Sequence, residues 1–174
     1  MKQHLIELAK PIKLLIFDVD GILTSGTLYL SDENIEIKGF TAQDGLGIKL
    51  LQKTGIEVAI ITARKSNSVK YRMESLGIKH VYQGKLDKIT VYKKLVEKLN
   101  LKDKDVAYMG DDLPDLKPIR QAGLGITVSN AHEFIKPYAD YITTSPGGRS
   151  AAREVCDLIM KAQGTFDAVY NEFL

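Results

Sequence analysis

In the stretch Lys13-Leu14-Leu15-Ile16-Phe17-Asp18-Val19-Asp20-Gly21, a short apolar run breaks off at two carboxylates and a glycine. A run with no polar alternation fits a strand buried on both faces of a parallel sheet. Its carboxyl end then opens into a loop, and ligands of open α/β sheets bind beyond such ends. The same pattern returns downstream. Val58-Ala59-Ile60-Ile61, His80-Val81-Tyr82 and Val106-Ala107-Tyr108-Met109 read as strands. Between them lie stretches of helical spacing over Gln43 to Lys53, Ser66 to Leu76 and Lys88 to Leu99, and another follows over Leu113 to Ala122. This alternation predicts an α/β fold, a Rossmann-like doubly wound parallel sheet with helices on both faces.

The remainder predicts a strand near Gly125 to Val128, a helix around His132 to Lys136, a strand at Tyr141-Ile142 and a terminal helix from Arg149 to Ala162. Between the first strand and the first helix, Thr27 to Leu30 and Ile35 to Phe40 are β-prone and separated by Ser31-Asp32-Glu33-Asn34. They predict a hairpin flap at about 27–40. The 174 residues are expected to form one domain over 1–174. Ser145-Pro146-Gly147-Gly148-Arg149 reads as a loop without a required function.

Charged residues make up 26% of the chain and nearly cancel to a formal +2, so the basic stripe of a nucleic-acid binder is missing. No apolar run approaches the length of a membrane span and the first ten residues do not read as a secretion signal, so a cytoplasmic protein is expected. Cys156, the single cysteine, sits in an apolar helical run and is expected in the core. His4, His80 and His132 lack metal-ligand spacing and are assigned to structure or surface.

Polar residues gather where the strands end: Asp18 with Asp20, Thr62 with Arg64, and Asp111, Asp112 with Asp115, while Lys88 opens the helix after the third strand. In a parallel sheet these ends share one edge, so the residues are expected to converge. Two unit charges about 4 Å apart repel by roughly 4 kcal/mol at an effective dielectric of about 20, so clustered carboxylates call for a hard cation. Oxygen donors suit Mg²⁺, which also binds substrate phosphate. Asp18 is the candidate nucleophile and Asp20 the candidate general acid and base. Thr62 can donate to a phosphoryl oxygen and Lys88 supplies fixed positive charge. Asp18, Asp111 and a backbone carbonyl, taken as that of Asp20, are the expected metal ligands, with Asp112 and Asp115 orienting them.

The order Asp18-Val19-Asp20-Gly21, Ile61-Thr62-Ala63-Arg64, Asp87-Lys88 and Gly110-Asp111-Asp112-Leu113-Pro114-Asp115 resembles the four motifs of the haloacid dehalogenase phosphatase superfamily. With only a hairpin between the first two motifs, the chain is similar to the capless subclass. Phe40 to Lys49, Tyr82-Gln83-Gly84 and Gly147-Gly148-Arg149 extend the likeness to members that act on a sugar-acid phosphate in lipopolysaccharide precursor synthesis. The resemblance implies an aspartyl-phosphate mechanism, Mg²⁺, a small-molecule sugar phosphate substrate and a homotetramer. It also implies that Asp20, Thr41, Ala42, Gln43, Asp44, Gly45, Lys49, Arg64, Arg72 and Lys88 surround the substrate. Arg suits a carboxylate or phosphate through paired hydrogen bonds, Lys through a point charge.

Taken singly, these residues have plainer readings. Asp-Val-Asp-Gly also occurs in turns, but Ile22 and Leu23 fall where an EF-hand calcium loop needs oxygen ligands. Thr62 alone would be a helix cap, Lys88 an exposed helix residue, and Arg64 and Arg72 solvated or paired with Glu74. A signalling receiver domain shares the Asp, Thr and Lys set but orders it differently. A silent binding module would lack Asp18 or Asp20, and both are present. A phosphatase for another sugar-acid phosphate is the nearer alternative.

Overall fold

A computed structural model describes residues 3–33 and 35–174. In chain order the elements are α1 (Gln3–Ala9), β1 (Leu14–Phe17), β2 (Tyr29–Leu30), β3 (Glu36–Ile37), α2 (Ala42–Lys53), β4 (Glu57–Ile61), α3 (Asn67–Ser75), β5 (His80–Tyr82) and α4 (Lys88–Lys98). They continue with β6 (Val106–Met109), α5 (Leu116–Gln121), β7 (Leu124–Thr127), β8 (Tyr141–Ile142), α6 (Ala151–Ala162) and α7 (Phe166–Tyr170).

Six strands form one sheet in the order β5-β4-β1-β6-β7-β8, and every neighbouring pair is parallel. β1 lies between β4 and β6, with Phe17 opposite Ile60 on one side and Met109 on the other. Its four residues are fully buried, which explains the unbroken apolar run. From β1 the chain builds outward through β4 and β5, then returns to add β6, β7 and β8 on the other side. Right-handed crossovers in opposite directions place helices on both faces. α2 and α1 pack against α6, while α4 packs against α5. The order reverses between β1 and β6, and a crevice opens beyond their carboxyl ends.

The doubly wound sheet agrees with the sequence reading, with local differences. The residues expected to form a helix at His132 to Lys136 form turns instead, with a 3-10 turn at Lys136–Tyr138. Pro137 disfavours helical geometry at Lys136 and has no N–H to donate. The helix expected from Leu113 to Ala122 divides into a 3-10 turn, Leu113–Asp115, and α5. Among the described residues the hairpin strands pair Tyr29 with Ile37 and Leu30 with Glu36, and Asn34 of the turn lies outside those residues. Helices α1 and α7 were not expected. α1 buries Leu5 and Ala9, and Cys156 is buried within α6.

Candidate active site

Four chain segments end at the β1/β6 crevice. Asp18 leaves β1 with its N–H donated to the Met109 carbonyl at 2.9 Å. Thr62 leaves β4, its N–H held by the Tyr82 carbonyl at 2.9 Å and its own carbonyl accepting from Lys85 at 2.9 Å. Lys88 is the first residue of α4. After β6, the Gly110 carbonyl accepts the Thr127 hydroxyl at 2.7 Å, and the Asp111 carbonyl accepts from His132 at 3.0 Å. Neighbouring strand ends thus fix the backbone on which each side chain stands.

Asp18, Asp20, Thr62, Arg64, Lys88, Asp111, Asp112 and Asp115 line one cavity of about 260 Å³, together with Gly26, Ala63 and Pro114. Lys88 Nζ lies 3.0 Å from Asp18 Oδ2 and 2.7 Å from Asp115 Oδ1. Asp115 is fully engaged. It also accepts from the Tyr108 hydroxyl at 2.6 Å and from the N–H groups of Asp111 and Asp112 at 3.3 and 3.4 Å. It therefore anchors Lys88 and the loop after β6. The exposed Asp112 accepts from Leu113 N at 2.7 Å and caps the following turn.

One oxygen at the centre is free: Asp18 Oδ1 is buried and has no hydrogen-bond partner. Carboxylate oxygens of Asp18, Asp111 and Asp115 lie within 4.8 Å of one another. Burial, followed by the charge of Asp115, raises the Asp18 pKa to about 7. Burial, then Asp18 and Asp115, raises that of Asp111 to about 8. Burial works against the Lys88 ammonium, but Asp18 and Asp115 outweigh it and lift its pKa. Three carboxylates facing one ammonium, with an unpartnered oxygen among them, fit a hard divalent cation. Asp18 and Asp111 have capacity to spare for it, whereas Asp115 does not.

Thr41, Asp44, Gly45 and Arg72 line a separate narrow crevice beside α2. Thr41 caps α2 by accepting from Asp44 N at 3.2 Å. Asp44 accepts from Arg153 N at 2.9 Å and Ser150 N at 3.3 Å, joining the start of α2 to that of α6. Arg72 donates to the Thr41 carbonyl at 3.1 Å with its guanidinium 6.0 Å from the centre of the Phe40 ring. Ala42, Gln43 and Lys49 are exposed, and the Ser150 hydroxyl donates to Gln43. In the single chain these residues do not enter the carboxylate cavity.

Sequence reasoning gave no site role to five residues that shape it. Tyr108 reads in sequence as a buried strand residue, yet its hydroxyl donates to Asp115. Gly147 and Gly148 back the loop after β1, where Gly148 N donates to the Ile22 carbonyl at 2.8 Å. Glu36 and Lys38 sit beside Asp20. Their signal was the Ile35-Glu36-Ile37-Lys38 alternation, which puts both charges on one face of the hairpin.

The sheet, the carboxylate at its switch point and the lysine opposite fit a hydrolase that acts on phosphate esters. Residues 78–152 match the haloacid dehalogenase-like hydrolases. The chain is 46% identical over 164 residues to 3-deoxy-D-manno-octulosonate 8-phosphate phosphatase KdsC of Salmonella typhi, covering 94% of this chain and 87% of the relative. The Moraxella catarrhalis enzyme of the same name, solved with magnesium, phosphate and a KDO molecule, superposes with a TM-score of 0.98 at 48% identity over 100% of both chains. A cobalt-bound Haemophilus influenzae deoxy-D-mannose-octulosonate 8-phosphate phosphatase gives 0.89 at 37% identity, over 92% of this chain and 94% of its own. The chain belongs to the 3-deoxy-D-manno-octulosonate 8-phosphate phosphatase family of haloacid dehalogenase-like hydrolases.

Proposed function

We propose that this protein hydrolyses 3-deoxy-D-manno-octulosonate 8-phosphate to the free sugar acid and phosphate, with Mg²⁺ and through an aspartyl-phosphate on Asp18, as a step toward lipopolysaccharide precursors. The observation that carries the chemistry is the buried, unpartnered Asp18 Oδ1, whose sister oxygen is held by Lys88. One carboxylate oxygen is fixed, and the other is left without a partner.

Asp18, Asp111 and the Asp20 carbonyl would hold Mg²⁺. When bound, it neutralises phosphate charge that would repel an attacking carboxylate. Asp18 attacks phosphorus, forming an O–P bond as the bond to the sugar oxygen breaks. Asp20 gives its proton to that departing oxygen. Water then attacks the phospho-enzyme, the bond from phosphorus to Asp18 breaks, and Asp20 takes the water's proton. Thr62 and Lys88 would hold phosphoryl oxygens, with Asp115 keeping Lys88 in position. Arg64, on the cavity's rim, is the candidate for the sugar's carboxylate.

The chain is read as one domain, with the hairpin over 27–40 as its flap. Leu28, Tyr29, Leu30, Ile35 and Ile37 expose a large apolar surface on that hairpin, which supports assembly into a homotetramer. In such an assembly Thr41 to Gly45, Lys49 and Arg72 would contact substrate only at a site shared between subunits. Among the described residues no helix is long and apolar enough to cross a membrane, which is compatible with a cytoplasmic enzyme.

The test is phosphate release from a panel of sugar phosphates, with Mg²⁺ and with chelator. Metal-dependent preference for 3-deoxy-D-manno-octulosonate 8-phosphate supports the whole reading. Preference for another sugar-acid phosphate would retain the chemistry and replace the substrate. Absence of release from every compound would overturn the enzymatic reading.

A further inference from the structure

The flap hairpin carries a lysine into the site. Lys38 follows β3, and although it belongs to a largely exposed hairpin its side chain is 2% exposed. Its ammonium bonds to Asp20 Oδ1 and lies 2.8 Å from Glu36 Oε1. Glu36 in turn pairs with Arg64, the arginine on the cavity's rim. An unbroken series of ionic contacts therefore runs from Asp20 through the hairpin to the loop after β4.

We propose that Lys38 is a positioning residue for Asp20, aiming its carboxyl at the oxygen that gains or loses a proton and linking that aim to the placement of the hairpin. The proposal rests on the reading of Asp20 as general acid and base. Asp20 is partly exposed and stands on a loop, so its side chain has rotamers that point away from the cavity. A buried ammonium held in place by Glu36 selects one of them, because turning Asp20 away would leave that ammonium with one carboxylate in place of two. Glu36 keeps Lys38 from folding back toward the hairpin backbone, and Arg64 keeps Glu36 in line. Proton transfer needs close approach in the correct direction, so the effect belongs in the rate of turnover rather than in substrate affinity.

The experiment is a double-mutant cycle on the full-length protein with Mg²⁺, using Lys38→Met, Asp20→Asn and both together. For the sugar-acid phosphate, Lys38→Met is expected to lower kcat on the order of ten- to a hundred-fold, with KM within about threefold, the range of a weakened general acid. With p-nitrophenyl phosphate, whose leaving group needs no proton, the first burst of nitrophenol should keep its rate while steady turnover slows. In the Asp20→Asn background Lys38→Met should add almost nothing, because it acts through Asp20. Glu36→Gln, which leaves the Lys38 to Asp20 contact in place, should show the same pattern more weakly. A Lys38→Met loss that persists in full on Asp20→Asn, or falls equally on the nitrophenol burst, would overturn the positioning role and leave the reading of Asp20 intact. A fully active Asp20→Asn enzyme would instead remove the reading on which the proposal rests.

Discussion

The Asp111 carboxylate occupies the volume that a side chain on Gly21 would need. A Cβ built on Gly21 falls 2.5 Å from Asp111 Cγ, and the Gly21 φ of +85° is itself unfavourable for any residue with a Cβ. The bare backbone lets the loop after β1 close on the loop after β6. Gly21→Ala is therefore expected to move Asp111 by a substantial fraction of an ångström and lower kcat on the order of 100-fold, as small misplacements at reacting centres do. Half-maximal activity should need more Mg²⁺. A metal titration of activity checks this, and an unchanged midpoint would show that Asp111 is not a ligand.

Lys88 contacts both Asp18 and Asp115 through its ammonium, and it is 3% exposed. Lys88→Met keeps the aliphatic stem and leaves those carboxylates without compensation. Breaking a buried pair of this kind costs about 3 kcal/mol. For a chain of this length that corresponds to a fall in Tm of about 10 °C. Activity should be lost along with stability. Because a divalent cation supplies charge at the same place, Mg²⁺ should raise the Tm of Lys88→Met more than that of the parent. Equal increments in differential scanning calorimetry would count against a metal site beside Lys88.

The cavity was legible in sequence because its central residues stand where apolar runs stop. Asp18, Thr62 and Asp111 follow β1, β4 and β6, and a parallel sheet has to bring those ends to one edge. Lys38 was not legible. It follows a two-residue strand far from any buried run, and the fold of the hairpin places it on Asp20. Tyr108 was hidden for the opposite reason: in an all-apolar strand its ring accounts for its presence, and the hydroxyl's bond to Asp115 depends on a turn seven residues away. The missing helix at His132 to Lys136 shows periodicity overruled by one proline, Pro137.

The raised pKa values of Asp18, to about 7, and Asp111, to about 8, link metal to pH. In the metal-free fold these carboxyls hold protons that the unfolded chain, with values near 3.8, has released. The resulting stability is fully present below the unfolded value and is lost as pH rises through about 7 to 8. Metal-free protein should therefore lose stability from mildly acidic to mildly alkaline solution. Mg²⁺, which takes the place of the protons, should stabilise most at the alkaline end. Thermal unfolding with chelator and with Mg²⁺ at about pH 5.5 and about pH 8.5 tests the linkage. An Mg²⁺ increment that is the same at both values would show that these carboxyls do not exchange protons for metal.

The loop before α6 contains a glycine whose neighbour is the catalytic loop itself. A Cβ on Gly147 would lie 2.6 Å from the carbonyl carbon of Gly21 and 3.3 Å from Ile22 N, and its own N–H accepts no such shift because it is donated to Asn130 Oδ1 at 2.8 Å. Backbone presses on backbone there, so no flexible side-chain end is available to give way. Gly147→Ala is expected to push the Asp18 to Gly21 turn out of register and to lower kcat at least about tenfold, again through misplacement at the reacting centre. Gly77→Ala is the matching control: its φ of +71° makes alanine unfavourable, but nothing lies within 4 Å of the added carbon. That variant should lose about 1 kcal/mol of stability, the usual penalty for a left-handed residue with a Cβ, and keep its kcat. Chemical denaturation alongside steady-state kinetics separates the two. If Gly147→Ala loses stability and keeps kcat as Gly77→Ala does, the loop before α6 is packing alone and does not set the position of Asp18.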